Sequence, residues 1–150
     1  MIDKKSFKKA IAAQLESANF VQKDQSWYLN GRDTIVVINL QKNDWDDEYF
    51  FNIRIWIKAL GNYEFQDNNK WHMSHRLERL FPEDKILIRG SSSLLIGTEQ
   101  LLNDLSVFIK TKLVPFLIEC TDEKKLKDYM AAGRFKLGFV RKDAKKYLLS

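Results

Sequence analysis

Apolar residues recur at near-helical spacing at the start of the chain, and lysines fill the opposite face. The apolar positions are Phe7, Ile11, Leu15 and Ala18. Residues three or four apart share one side of a helix, so this spacing predicts an amphipathic helix. Asp3 is a residue type that favours the position before a helix, and Asn19 is one that favours its end. The pattern therefore predicts a first helix between Asp3 and Asn19.

The hydrophobic period changes to two after Phe20. Two apolar runs flank Asn30-Gly31, a dipeptide typical of a type I′ hairpin turn because both residues tolerate positive φ. A second hairpin turns through the acidic loop 44–48. The strands predicted from these runs cover 27–29, 33–42 and 49–59. The sequence thus predicts an antiparallel meander of three or more strands.

Alternation along the third strand separates an apolar face from a mixed one. The apolar face carries Phe51, Ile53, Ile55 and Ile57. The other face carries Asn52, Arg54, Trp56 and Lys58. An antiparallel sheet commonly packs one face on the core and leaves the other wetter. We therefore predict an α+β fold, in which an antiparallel β-sheet has its helices packed on one face.

Less regular patterns fill the second half of the chain. They predict a loop over 61–71, a short segment His72–Phe81, a fourth strand Lys85–Arg89 and a polar connection over 90–93. Gly97-Thr98 begins the longest helix, which Pro115 should kink or restart because proline lacks an N–H donor. The remaining predictions are a helix from Thr121 or Asp122 to Met130, a strand over 135–140 and a helix over 144–149. No linker or repeat interrupts the chain, so residues 1–150 are predicted to form a single domain.

Several segments together resemble a known family. They are Phe7-Lys8-Lys9, Trp27-Tyr28, Asn39–Lys42 with Trp45, Asn52-Ile53, His72–Leu80 with Arg76, and Leu113–Leu117. This combination is similar to the bacterial domain-of-unknown-function family numbered 4304. The resemblance covers a core of about residues 3–130 and leaves a basic tail, 133–150, unmatched. It implies a fold and a compartment, and it brings no activity.

Composition and charge narrow the class of protein. The chain has one cysteine, Cys120, so an internal disulfide and a four-thiolate metal site are excluded. No signal peptide opens the chain, and its apolar runs are too short to cross a bilayer. We therefore expect a cytoplasmic protein that does not contact a membrane. The formal net charge is +5 and the pI is about 9.2, with lysines and arginines concentrated near both termini and the acidic loop between them.

Candidate metal and catalytic motifs are weak. His72 and His75 are three residues apart and would share a face of a helix, but further ligands and the i, i+4 spacing of a zinc protease helix are missing. The acidic loop lacks the central glycine and distal glutamate of a calcium loop. No phosphate loop, nucleophile elbow or dinucleotide fingerprint occurs. We predict no metal, no cofactor and no catalytic residues.

The mixed face of the sheet is the best candidate for a binding site. Arginine and amide side chains can donate hydrogen bonds to an acidic group, and tryptophan supplies a flat anchor beside them. The candidate residues on or beside this face are Asn39, Gln41, Trp45, Asn52, Arg54, Trp56, His72, His75 and Arg76. They favour a binding module for a protein partner or a small ligand, such as an immunity-like or accessory protein. In the other interpretation, a loop or the tail covers this face and its polar groups bond internally.

Two other classes of function stay open. The basic termini suit a nucleic acid, whose binding would weaken steeply with salt, although aromatic and basic residues are not interleaved as in RNA-binding motifs. An enzyme would need a convergent site around Arg54, His72, His75 and Glu78. Both a monomer and a homodimer are compatible with the sequence, since a strand from the tail can pair at a sheet edge.

Overall fold

A computed structural model of the chain describes residues 1–63 and 70–150. The strands are β1 Val21–Lys23, β2 Ser26–Asn30, β3 Thr34–Lys42, β4 Tyr49–Ile57, β5 Met73–Arg76 and β6 Phe139–Val140. The α-helices are α1 Lys4–Ser17, α2 Leu77–Leu80, α3 Lys85–Ser92, α4 Glu99–Phe108, α5 Val114–Glu119, α6 Glu123–Ala131 and α7 Lys142–Leu148. Short 3₁₀ turns occupy Lys58–Leu60 and Pro82–Asp84, and a π-helical turn occupies Ile109–Leu113. Part of the predicted 61–71 loop, 64–69, lies outside the described residues.

The strands form one antiparallel sheet in the order β1-β2-β3-β4-β5-β6. Each strand pairs with the next along the chain, and the longest pairing joins Thr34 to Ile57 and Lys42 to Tyr49. The meander predicted from the sequence is confirmed and extends to six strands. No helix in the described part of the chain is long and apolar enough to cross a membrane.

The helices pack on the face predicted to be apolar. All four residues of that face in β4 are buried in the main core, and they are Phe51, Ile53, Ile55 and Ile57. Helix α1 contributes Phe7, whose ring stacks on Tyr49 with the ring centroids 5.3 Å apart. Asp3 caps this helix by accepting a hydrogen bond from the Ser6 amide. The predicted α+β architecture with helices on one face is therefore confirmed.

The segment predicted as a fourth strand, Lys85–Arg89, is instead the start of α3. Its Ile-Leu-Ile run has strand propensity, but Ile88 faces the core while Ile86 is exposed. The predicted polar connection is also wrong, since Ser91 and Ser92 belong to this helix and bond back to Leu87 and Ile88 carbonyls. Serine hydroxyls satisfied within a helix in this way no longer compete with it.

The restart predicted at Pro115 is confirmed. The long helix runs as α4 to Phe108, widens into the π-helical turn, and resumes as α5, with Pro115 in its first turn. A proline at the beginning of a helix removes a donor that has no partner there in any case. Pro115 therefore lies in the first turn of α5, directly after the π-helical turn.

The hairpin at Asn30-Gly31 exists, but its turn differs from the predicted type I′ geometry. The loop has three residues, 31–33, closed by the Gly31 amide donating to the Thr34 carbonyl at 2.9 Å, and neither Asn30 nor Gly31 has positive φ. Gly31 instead leaves room for Thr121, because a Cβ on it would lie 2.2 Å from the Thr121 Cβ. The glycine therefore permits close packing between the hairpin and the end of α5.

We expect Gly31→Ala to lower the free energy of unfolding by about 1–3 kcal/mol, the usual cost of forcing atoms into a packed contact. Gly90→Ala is the matched control, since a Cβ inside α3 would lie 3.7 Å from its nearest neighbour, Leu101. Alanine should stabilise that helix by about 0.5–1 kcal/mol. Urea unfolding of both variants measures the contrast, and equal effects at the two sites would contradict the packing argument.

The C-terminal tail packs against the main core. Phe135, Ala144 and Leu148 are buried in the main core. The Arg134 guanidinium donates to the Leu80 carbonyl at 2.9 Å and lies over the rings of Phe81 and Phe116. The predicted strand over 135–140 shortens to β6, which pairs with β5, and the predicted 144–149 helix is α7.

Candidate functional site

The two histidines lie on opposite faces of the sheet. His75 is inside β5 opposite Ile53, on the core side, where its Nε2 is 2.8 Å from the Phe135 carbonyl oxygen. His72 precedes β5 and packs on Trp56, on the other side, with ring centroids 4.1 Å apart. The segment is a strand and not a helix, so the two imidazoles lie on opposite faces and cannot share a metal ion. The structure therefore does not bring together the two histidines of the convergent catalytic site considered from the sequence.

The amide side chains on the mixed face bond to one another. The Asn52 amide donates to Asn39 Oδ1 at 3.2 Å and to Gln41 Oε1 at 3.0 Å. Asn39 in turn donates to Ser26 Oγ at 2.9 Å. Three side-chain hydrogen bonds therefore link β4, β3 and β2. They engage the amide groups of Asn52 and Asn39, whereas Gln41 accepts within the row and is exposed.

One end of the mixed face is covered. Trp56 and Trp71 are buried in a second apolar cluster with Val37, and the ring of Tyr63 packs on both tryptophans. The Trp56 indole donates to the Gly61 carbonyl at 2.9 Å. At this end the covered-face interpretation holds, and Trp56 has a structural role.

Arginines occupy the part of the same face near β5. The pairing Asn52 with Arg76 and Arg54 with Ser74 places both guanidinium groups on this side of the sheet. The Phe50 ring lies between two guanidinium groups, 4.0 Å from that of Arg76 and 4.5 Å from that of Arg89. Such stacking orients Arg76 before any ligand arrives.

A cleft of about 610 Å³ opens beside Arg76. Three cations line it, Arg76, Arg79 and Lys136, and no carboxylate does. We call it the arginine cleft. Its other lining residues are Asn52, Ser74, His75, Leu137, Gly138 and Phe139. The cleft therefore joins the β4–β5 face to the segment that leads into β6.

The charge of the arginine cleft is poorly balanced. Burial lowers the pKa of Arg76, and the nearby guanidinium groups of Arg89, Arg79 and Arg54 lower it further, while Glu78 opposes them. Among the described residues Arg54, Arg76 and Arg79 form no ion pair, and Arg76 Nη1 and Glu78 Oε2 are buried without a hydrogen-bond partner. An anion bound here would offset the repulsion between Arg76 and the neighbouring guanidinium groups.

Trp45 lies away from the arginine cleft. It projects from the tip of the β3–β4 hairpin and is 91% exposed. Its backbone amide donates to Asn43 Oδ1 at 3.0 Å. The predicted solvated acidic tip surrounds it, with Asp44, Asp46 and Asp47 all exposed.

Among the described residues, side chains that could ligate a metal ion do not converge. Within residues 1–63 and 70–150 no three of the His, Cys, Asp and Glu side chains are placed to hold a metal ion. Cys120 is buried, and burial raises the pKa of its thiol. A buried protonated thiol is a poor nucleophile.

Of the residues at the arginine cleft, sequence reasoning found Asn52, His75 and Arg76 but missed Arg79, Lys136 and the stacking Phe50. The signal for Phe50 was present, since it alternates onto the same face as Asn52 and Arg54. Lys136 comes from the tail, and only the pairing of β6 with β5 brings it here. Spacing along the chain carries no trace of that contact.

Comparison with known proteins adds a family and nothing more. The model of the family described as Domain of unknown function (DUF4304) matches residues 11–119. The match includes β1 to α5 and stops before α6, so β6 and α7 lie beyond it. Neither the curated proteins nor the solved structures contain a match.

Proposed function

The chain belongs to the DUF4304 family, and we propose from its geometry that it is a non-catalytic, cytoplasmic binding module that recognises an acidic group at the arginine cleft. The acidic group is a carboxylate or phosphate of a protein partner or of a small ligand. Guanidinium groups bind both with paired, charge-assisted hydrogen bonds. The lining of the cleft by three cations and no carboxylate carries this proposal.

Each side chain of the cleft has a role in the proposal. Arg76, oriented by Phe50, supplies the central donor. Arg79 and Lys136 are both exposed and approach from either side, where they steer an anion inward. Phe139 and Leu137 supply apolar surface beside the charges. An immunity-like or accessory protein that blocks its partner through an acidic side chain would use such a surface.

We expect citrate to stabilise the protein through the arginine cleft. A ligand at ten times its dissociation constant adds about 1.4 kcal/mol to the free energy of unfolding, which raises Tm by roughly 3–5 °C in a domain of this size. Thermal unfolding in citrate and in chloride at equal ionic strength measures the shift. Arg76→Gln should abolish it.

The matched control is Arg32→Gln, which removes the same charge from an exposed arginine near the β2–β3 hairpin. It should keep the citrate shift. Loss of the shift in both variants would indicate nonspecific screening, and retention in both would place the anion elsewhere.

Affinity capture from the lysate of the source organism, with and without nuclease, tests whether the partner is a protein or a nucleic acid. A stoichiometric protein that survives nuclease and is lost with Arg76→Gln supports the arginine cleft. Recovery that depends on nucleic acid would instead favour the basic termini, whose lysines on α1 and α7 are mostly exposed.

A further inference from the structure

Trp45 lies on a loop whose backbone and side chains are tied together by several hydrogen bonds. The Asn43 amide donates to the Glu48 carbonyl and the Glu48 amide to the Asp46 carbonyl, each at 2.9 Å. The Asn43 side chain donates to Glu48 Oε1 at 2.7 Å, and Arg89 holds the other Glu48 oxygen at 2.9 Å. A side chain that projects from an ordered loop loses little entropy when it enters a partner.

Backbone hydrogen bonds bring other segments with exposed apolar side chains to the end of the fold that carries Trp45. The Leu94 amide donates to the Asp47 carbonyl at 2.7 Å, which brings the turn after α3 beside the hairpin tip. Leu95 and Ile96 in that turn are 60% and 68% exposed. The Ile2 amide bonds to the Leu94 carbonyl at 2.8 Å, so exposed Met1 also lies at this end. We call this surface the tryptophan end: Met1, Trp45, Leu95 and Ile96.

The tryptophan end is bordered by acids in a chain whose formal net charge is +5. Asp44 and Asp46 are exposed, and their carboxylates form no ion pair within the described residues. Lys42 offsets Asp47 at 3.1 Å. Exposed apolar groups inside an acidic border complement a surface that is apolar and positively charged.

We propose that the tryptophan end is a second interaction surface, which docks a cationic, apolar segment of another protein. Trp45 is the anchor, since tryptophan is among the residues most enriched at the energetic centres of interfaces. Leu95 and Ile96 widen the apolar contact, and Asp44 and Asp46 select lysine or arginine at its border. The surface is separate from the arginine cleft, so it does not depend on the function proposed for that cleft.

Fluorescence reports on this surface selectively. Of the four tryptophans, Trp27, Trp56 and Trp71 are at most 9% exposed, whereas Trp45 is 91% exposed. Acrylamide should therefore quench Trp45 almost alone. The probe is a synthetic amphipathic helix of leucine and lysine, compared with the same peptide in which glutamate replaces lysine. We expect the lysine peptide to protect Trp45 from acrylamide and the glutamate peptide not to.

Calorimetric titration of variants tests which residues bind the lysine peptide. Trp45→Ala should weaken binding about ten-fold or more, and Asp44→Asn with Asp46→Asn about five-fold at low salt. Asp128→Asn, an exposed acid on α6, is the control and should change nothing. All these positions are exposed, so the variants retain the fold.

Three kinds of result would overturn the proposal. The first is a failure of specificity, seen either as equal binding of the two peptides or as binding that Trp45→Ala leaves unchanged. A second is protection of Trp45 by phosphatidylcholine vesicles without protection by the lysine peptide, which would make the surface a membrane contact. The third is protection that grows with protein concentration in the absence of peptide, which would assign the surface to a second copy of the chain.

Discussion

Replacing Phe135 by alanine is expected to lower the free energy of unfolding by about 3–5 kcal/mol, the usual cost of removing a buried aromatic ring. Phe135 is 1% exposed. Its ring packs against those of His75 and Phe116, with centroids 5.4 Å and 6.2 Å away. Its carbonyl also meets His75 Nε2. Urea unfolding followed by far-ultraviolet circular dichroism measures the loss.

Leu137→Ala is the control for Phe135→Ala. Leu137 is two residues away on the same segment and 52% exposed, so its truncation should change stability by less than about 0.5 kcal/mol. A small effect of Phe135→Ala would mean that the tail is an appendage. A large one would establish that residues beyond the family match, 11–119, complete the core of this member.

The pairing of β3 with β4 was predictable because one face of these two strands is buried along most of its length. In β3 and β4 a register shift of one residue would expose Val36, Ile38, Ile53 and Ile55 together. The alternation is therefore strong in the sequence, and the structure follows it. The helices α1 and α4 were predictable for the same reason, since each has one continuous apolar side.

The sequence was ambiguous where a short apolar run had no clear period. Lys85–Arg89 contains three consecutive apolar residues, which suit a buried strand or one turn of a helix equally well. The segment from His72 was ambiguous in a different way, because the spacing of its two histidines suits a helix although the segment is a strand. Its helical interpretation placed His72 and His75 together, whereas the strand β5 separates them onto the two faces of the sheet.

Only part of the candidate site was predictable. Asn52 on β4 and Arg76 on β5 were candidates from the sequence and line the arginine cleft. The arginine cleft also needs Lys136 and Phe139, which reach it through a strand pairing far along the chain. Close packing enforces that approach, because a Cβ on Gly138 would lie 2.1 Å from the His75 ring. Long-range contacts of this kind leave no periodic signal.

Stability is expected to fall by about 2–3 kcal/mol between pH 7.5 and pH 4.5 through His72 alone. Burial, helped by the charge of Arg141 and opposed by Asp143, lowers the pKa of His72 to about 4. Its Nδ1 accepts a hydrogen bond from the Ile57 amide at 2.7 Å, which requires that nitrogen to be unprotonated. The folded protein therefore resists a proton that the unfolded chain takes up near the ordinary histidine pKa of 6.5.

The sign of this effect follows from the two pKa values. Below pH 6.5 the unfolded state binds more protons than the folded state, so stability decreases as pH falls, and the decrease levels off below about pH 4. His72→Asn is the informative variant, because the asparagine carbonyl can still accept from the Ile57 amide but does not titrate. The variant keeps every carboxylate and also His75, whose buried imidazole titrates in both proteins. These groups therefore cancel when the two proteins are compared.

The measurement is urea unfolding of both proteins from pH 7.5 to pH 4.5. At pH 7.5 the wild type should be the more stable, because asparagine loses the ring contact with Trp56. The gap should shrink by about 2–3 kcal/mol as pH falls, since only the wild type is penalised for keeping a neutral imidazole. A gap that stays constant with pH would mean that His72 is protonated in the folded protein as easily as in the unfolded chain. In that case the His72 imidazole would stabilise the fold through its ring contact with Trp56 alone, and its protonation state would not contribute to stability.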